Sequence, residues 1–438
     1  MGELKQVRTD AEAALIAAWD RAPAQADWRK AAFARFAMAG LPHRRIESWH
    51  YTDLRGLLRT ALPTRAPDSA AVEGARARLA ALRIGAATRL VVLDGAFRPD
   101  LSDMDALPEG VAVQSLAAAL VADDIVSLLA PKGLGDDDSI VALNAAMMQD
   151  GVVVRIAPGA VVERNIALVT LMSGGAPHAA FVRSLVDVGA GARARIVEIA
   201  DSPVAEIQSH DALVLRVGEG AELEHVAHVG YEGAGAMQLH SLLATLQRDA
   251  TFNSFCLVAD GGLVRRQIFA HLDGERATLG LRGLSLLRGR EHADTTLVVD
   301  HALPYGVSRE FYRHILDGEA TGVYQGQVCV RQHAQKTDGA MKSQALVLAE
   351  GAAMYNKPEL EIFADDVVCG HGATVGQLDE DQIFYLQARG LPRAEAEALL
   401  LEAFANEAID FVTDETLRDI FAQEAREWLA RRVAERRP

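Results

Sequence analysis

The sequence predicts a mainly β chain: a right-handed, parallel-type β-helix (solenoid) core flanked by N-terminal and C-terminal helical regions. Three observations predict it. From Gly151 to about Gly376, strand-like runs rich in Val, Leu and Ile alternate with turns, and no helical period intervenes. The turns share a chemistry, a small or acidic pair followed by alanine: Pro158-Gly159-Ala160, Ala190-Gly191-Ala192, Glu219-Gly220-Ala221, Arg248-Asp249-Ala250, Glu275-Arg276-Ala277, Gly318-Glu319-Ala320 and Glu350-Gly351-Ala352. The seven alanines also return at long, similar intervals, with one wider step between Ala277 and Ala320. A strand repeat of that length buries its apolar face only against its neighbours, which is the logic of a solenoid. A β-sandwich also alternates strands, but its turns come about every 8–12 residues. Unrelated turns in a generic β protein are the plainer alternative.

In chain order, residues 1–140 form an N-terminal helical and mixed region, 141–376 the β-helix core and 377–438 a C-terminal helical region. Leu15, Ile16 and Trp19 recur at helical spacing. A second helix from Trp28 to Ala39 carries Phe33 and Phe36 and stops at Gly40, with Pro42 behind it. The Ala- and Pro-rich stretch from Leu62 to Gly74 reads as a connector, and Gly133 to Ser139 as a loop. After the core, Leu378 to Arg389 is helical up to Gly390, and Pro392 opens the next helix. There Leu399, Leu400, Ala403 and Phe404 make one apolar stripe. Thr413 is placed to cap a final helix with Asp414 and Glu415 in its first turn and Leu417, Ile420, Phe421 and Trp428 along one side. Since a solenoid needs covered ends, terminal helices serve that structural purpose whatever the function.

Composition narrows the function classes. The 438 residues are 50% hydrophobic and 24% charged, with a net charge of −16. That charge disfavours nucleic acid. The only basic blocks are the pairs Arg431–Arg432 and Arg436–Arg437, which suit a helix C-terminus. Met1 to Asp10 has no apolar signal segment and no stretch approaches a membrane span, so a cytoplasmic chain is expected. Cys256, Cys329 and Cys369 lie far apart along the chain, too scattered for a disulfide framework or a closed zinc site. No GxxxxGK[ST] phosphate loop and no GxSxG elbow occurs. His225 and His228, three apart on a strand, face opposite sides and make no joint metal site. Arg265–Arg266 and Arg288-Gly289-Arg290 read as coating a solvated strand face.

Chemistry concentrates in one stretch, Lys357-Pro358-Glu359-Leu360-Glu361-Ile362-Phe363-Ala364-Asp365-Asp366-Val367-Val368-Cys369-Gly370-His371-Gly372-Ala373-Thr374-Val375-Gly376. On a strand, Cys369 and His371 share a face, offering a thiolate and an imidazole to iron or another transition metal. Two ligands leave a metal site incomplete, so the rest come from elsewhere or from a second subunit. Gly370 and Gly372 remove bulk on either side of the histidine and let another backbone approach. By spacing alone, a small buried cysteine and a structural histidine remain the more frequent meaning of Cys-x-His.

This stretch resembles the signature of the SufB/SufD family, a "PxLEI-ADDV-C-HGATVG" run that closes the β-helix. Ala334-Gln335-Lys336-Thr337-Asp338 resembles the family's "AQKT" element, and Asp381-Gln382-Ile383-Phe384-Tyr385-Leu386-Gln387-Ala388-Arg389-Gly390 its "QxFYLxxRG" helix. Glu47-Ser48-Trp49-His50-Tyr51-Thr52-Asp53-Leu54 is similar to its "ExWxYT" segment, and Asn144, Asp150, Gly151, Pro158 and Gly159 fall where the family opens its core. The matches run from about residue 44 to about 410. Two departures stand out: Val367-Val368 replaces the usual lysine before the cysteine, and Gly339-Ala340-Met341-Lys342-Ser343 replaces an Ala-x-Gln pattern. Within the family, SufB-type chains carry more cysteines, including an N-terminal CxxC-type cluster, whereas none precedes Cys256 here. The resemblance is therefore to the SufD side, with a SufB-type scaffold paralogue as the alternative.

The resemblance implies a non-enzymatic subunit of an iron–sulfur cluster assembly complex, the SUF (SufB–SufC–SufD) system. Such a chain pairs with SufB as a heterodimer and docks SufC, an ABC-type ATPase. It holds no cofactor stably alone. His371, with Cys369 as the secondary candidate, would meet transient iron or a nascent Fe–S cluster at the SufB interface. Phe384, Tyr385, Leu386 and Arg389 would lie in the SufC docking region, and Lys336 would form a salt bridge. A homodimer is possible for the isolated chain, and neither nucleic acid nor membrane is a partner. A β-helix enzyme fits less well, since an acyltransferase helix shows strict hexapeptide periodicity and a secreted lyase a signal peptide.

Overall fold

The computed structural model describes residues 8–435 apart from 23–24, 123–124, 132, 203–205, 232 and 234. Arg436 and Arg437, the second basic pair, lie outside the described residues. The chain is mainly strand and winds into a parallel β-solenoid of two facing sheets, with helices at both termini. The first sheet comprises Ala96–Phe97, Ala87–Leu93, Asn165–Leu171, Arg193–Asp201, Glu222–Val229, Thr251–Ala259, Thr278–Leu287, Val307–Leu316, Asp338–Val347 and Val368–Gly376. The second comprises Val111–Ser115, Val152–Ile156, His178–Val188, Ile207–Val217, Met237–Leu246, Leu263–Leu272, His292–His301, Thr321–Val330 and Ala353–Ile362. The chain crosses from one sheet to the other at every turn, so strands pair with the strand next but one in sequence. Short antiparallel pairs close the start of each sheet. The first sheet begins with a strand drawn from the segment ahead of residue 140.

Register explains the repeat, including its irregular step. Arg193, Glu222, Thr251, Thr278, Val307, Asp338 and Val368 stand one above another in the first sheet. Ala160, Ala192, Ala221, Ala250 and Ala277 precede that column at one corner, each carbonyl accepting from the amide one rung on. Gly306, one rung after Ala277, and then Thr337 continue the same corner. Ala320 and Ala352 instead stand at the other corner, ahead of second-sheet strands. The wide interval from Ala277 to Ala320 is thus a change of corner rather than a long rung. Alanine is excluded at Gly306, where an added Cβ would lie 2.6 Å from the His301 ring.

Alternate residues of the strands point into the lumen, where Leu213, Leu242, Ile268 and Leu297 of one sheet meet Leu223, Phe252 and Leu279 of the other. The intervening residues bury the outer faces under helices. Asp10–Arg21, Asp27–Ala39 and Ser139–Met147 cover Phe181, Leu239 and Leu263 of the second sheet. Arg393–Ile409 and Glu415–Glu435 cover Val226, Phe255 and Leu284 of the first. Oppositely charged pairs recur one rung apart: Arg195 with Glu224 (2.7 Å), Arg216 with Asp187 (2.6 Å), His271 with Asp300 (3.0 Å) and Arg309 with Asp338 (2.6 Å) all span 29 residues.

Several sequence expectations change at this level. Ser69–Ala81, which begins within the supposed connector and runs past its end, is a helix capped by Asp68, whose carboxylate accepts from the Ala71 amide at 2.8 Å. Its alanines pack on the first sheet, a role that alanine content alone does not reveal. In Arg393–Ile409 the buried stripe is Leu401, Ala405, Ala408 and Ile409, while Leu399 is exposed. The run of three leucines permits either phase, and the sheet selects the later one. The terminal helices cover the flanks of the solenoid, not its C-terminal end. Asp414 caps the last helix, accepting from the Leu417 amide at 2.9 Å, while the Thr413 hydroxyl turns to Glu224. Asp414→Ala is expected to lower stability by about 1–2 kcal/mol, losing the cap and its contact with Arg195, and Thr413→Val by less. Urea midpoints of the two variants check the order.

The paired arginines are not a solvated coat. Arg265 is 0% and Arg266 1% exposed. Arg265 lies 3.7 Å over the Trp49 ring and pairs with Asp294 beneath the N-terminal segment. Arg266 enters the lumen and donates to the Ser254 hydroxyl at 3.3 Å. Of the group only Arg290 is solvated, at 89% side-chain exposure, and it sits in the turn after Thr278–Leu287 rather than on a strand face.

Candidate functional site

The strands Ala353–Ile362 and Val368–Gly376 are the last of their sheets, and each is paired on one side only. Inner rungs are paired on both sides, but Val368–Gly376 is exposed along nearly its whole length. Tyr355, Ile362, Phe363, Val368 and Val375 form an exposed apolar rim around it. A free parallel edge with unpaired backbone groups is a template for another strand.

Cys369 and His371 sit on this edge. Cys369 stands in register with Gly339 and His371 with Met341, which is buried in the lumen core. Cys369 packs partly into that core, and His371, two residues on and on the same side, is exposed. An added Cβ at Gly339 would lie 3.5 Å from both the Cys369 sulfur and the Ser308 oxygen, so the glycine leaves the thiol facing the inner rung. Burial pushes the Cys369 thiol above its ordinary value. An added Cβ at Gly370, Gly372 or Gly376 would meet nothing in this chain. Among the described residues no three His, Cys, Asp or Glu side chains are arranged to hold a metal ion.

The other two cysteines are elsewhere. Cys256 is buried in the solenoid, and burial pushes its thiol up to about 11. Cys329 is buried near the end of Thr321–Val330, its thiol likewise raised by burial. Lys336 sits at a positive φ of 66° in the turn before Asp338–Val347 and forms an ion pair with Asp366 one rung on.

On the C-terminal side, Asp379 caps the helix Glu380–Gln387 and Ile383 anchors it. Phe384 is 72% and Tyr385 56% exposed, Leu386 is half-buried, and the Arg389 guanidinium lies 4.4 Å from the Tyr385 ring centroid. This aromatic face is separate from the Cys369–His371 edge in sequence and element.

Sequence reasoning missed a buried polar seam in the lumen. Glu198 bridges His225 (3.1 Å) and His240 (2.8 Å), and His225 also meets the Ser254 hydroxyl at 3.0 Å. Burial pushes the Glu198 carboxyl up, but the two histidines outweigh it and hold it well below the usual carboxylate range. His240 comes from the opposite sheet, so no spacing along the chain points to the bridge. His225 and His228 do face opposite ways, His228 lying in a surface groove with Arg78 and Asp201. No helix among the described residues is long and apolar enough to cross a membrane.

Residues 170–404 match the family model "SUF system FeS cluster assembly, SufBD core domain", and residues 10–168 match "SufBD protein N-terminal region". The chain is 30% identical over 386 residues to the iron–sulfur cluster assembly protein SufD of Escherichia coli, covering 86% of this chain and 87% of that protein. It is 30% identical over 384 residues to an iron–sulfur cluster assembly SufBD family protein of Synechocystis, with 84% and 83% coverage. A SufBD family protein of Mycobacterium bovis shares 32% identity over 174 residues, 38% of this chain and 44% of that protein.

Proposed function

The chain belongs to the SufBD family of iron–sulfur cluster assembly proteins, and on that premise we propose that it is a non-enzymatic, cytoplasmic subunit pairing with SufB through the open end of its solenoid. The free edge carrying Cys369 and His371 supports this reading above all. A SufB strand added there satisfies the unpaired backbone groups and covers the apolar rim. It also fills the space that Gly370 and Gly372 leave open. His371 and Cys369 then supply two of the ligands that meet incoming iron or a nascent cluster, which is the substrate of assembly, and SufB supplies the rest. Binding releases the Cys369 proton, since only the thiolate ligates. The exposed Phe384–Tyr385 face of the helix Glu380–Gln387, with Leu386 and Arg389, docks the SufC ATPase. The cysteine distribution favours this over a SufB-type scaffold role, since Cys256 and Cys329 are both buried.

The test is co-expression of this chain with SufB and SufC, comparing wild type with His371→Ala for recovered complex, iron and sulfide. The expected result is intact assembly with iron and sulfide reduced about tenfold or more. Wild-type iron and sulfide in the variant would make His371 structural. Failure of the wild-type chain to join SufB would overturn the assignment.

A further inference from the structure

The segment Glu47 to Asp53 lies across the outer face of the second sheet and reaches its last strand. Trp49 is buried and donates to Asp138 at 3.0 Å. The Ser48 carbonyl accepts from Arg265 (2.7 Å) and from Gln325 (3.1 Å), two rungs apart. The Thr52 hydroxyl meets His292 at 2.9 Å and Asp294. At the free strand Ala353–Ile362, Tyr51 stacks on Tyr355, with ring centroids 4.8 Å apart and planes 21° from parallel. Glu47 forms an ion pair with Lys357 at 2.7 Å.

Tyr355 ends a column. Arg265, Asp294, Val323 and Tyr355 stand in register on successive strands. The first three are 0%, 1% and 1% exposed, whereas Tyr355 is 43% exposed. Its stacked partner Tyr51 is itself half-exposed. A strand added to the free edge takes the next place in that column, about 4.8 Å on. Its outward side chain therefore lies against the aromatic pair, and the neighbouring position meets Glu47 and Lys357.

Resting on the proposed pairing with SufB, we propose that the N-terminal segment forms part of the docking face, with Tyr51 and Tyr355 as a shared aromatic anchor for the partner's solenoid. The solenoid edge supplies backbone pairing, and the segment supplies a side-chain contact from outside the core. Tyrosine is among the residues that carry a disproportionate share of interface energy once a partner desolvates them. The occupant is a SufB solenoid rung because the contact continues the same register as the free edge.

The experiment measures binding of purified SufB to the full-length chain. Tyr51→Ala and Tyr355→Ala are each expected to weaken binding about tenfold or more, with Tyr51→Phe close to wild type. Hydrogen exchange on the wild-type chain gives a readout independent of variant folding: the amides of 47–53 gain protection on adding SufB. Unchanged affinity in Tyr51→Ala, or unchanged exchange in 47–53 when wild-type binding is plain, overturns the anchor and leaves the pairing intact. Protection produced by a second copy of this chain and not by SufB also overturns it. Absence of wild-type binding overturns the pairing itself.

Discussion

Asp294→Ala is expected to lower the stability of the chain by about 3–5 kcal/mol, seen as a fall in the urea midpoint at unchanged slope. Arg265 and Asp294 are both fully buried, and Asp294 also accepts from Thr52 and, at 2.8 Å, from Thr296. Truncating the carboxylate leaves the Arg265 guanidinium desolvated, facing only the Trp49 ring and the Ser48 carbonyl. The cost is that of an uncompensated buried charge, which exceeds the net worth of the pair. Replacing both, as Arg265→Met with Asp294→Leu, should therefore recover most of the loss. A single-variant loss under about 1 kcal/mol would mean that water reaches Arg265. The same measurement reports on the N-terminal segment, because Ser48, Trp49 and Thr52 all rest on this pair.

The second large effect depends on pH. Glu310 is 1% exposed on the lumen side, and burial pushes its carboxyl up from 4.5 to about 8, against the weaker opposing pull of Ser308 and Arg309. The folded chain therefore keeps a proton that the unfolded chain releases above pH 4.5. The stability this contributes is fully present below that pH and is lost as pH rises through the folded value. The slope is about 1.4 kcal/mol per pH unit, or about 4–5 kcal/mol across the window. Glu310→Gln carries no titrating group, so its stability relative to wild type should rise by that amount between pH 4.5 and 8. Urea unfolding of both chains across this range provides the measurement. Parallel pH profiles would show that Glu310 is ionised in the folded chain.

Much of the fold was legible because its signals are local. Turn chemistry and strand alternation need only neighbouring residues, and they returned at a nearly constant rung length. Gly40 ends its helix at a φ of 75°, a conformation that glycine adopts without strain, so that boundary was legible too. The charge partners could have been found from the same period. Arg265 pairs with Asp294 one rung on, and Arg195 with Glu224 likewise. What spacing could not supply was which face of the sheet a pair occupies. The outer faces are covered by segments distant in sequence, so Arg265 became half of a buried pair, whereas Arg290, in the turn after Thr278–Leu287, stays solvated.

A strand solenoid with helical flanks could be read from residue order, which also marked out the Cys369–His371 strand and the Phe384–Tyr385 helix by motif. Tertiary structure alone decided that the last rung is open, that Tyr51 reaches it from the other end of the chain, and that Glu198 joins histidines from two sheets. The division has one physical cause. Backbone preferences and burial periodicity act within a rung, whereas exposure, charge pairing and free edges depend on what the remaining chain leaves uncovered.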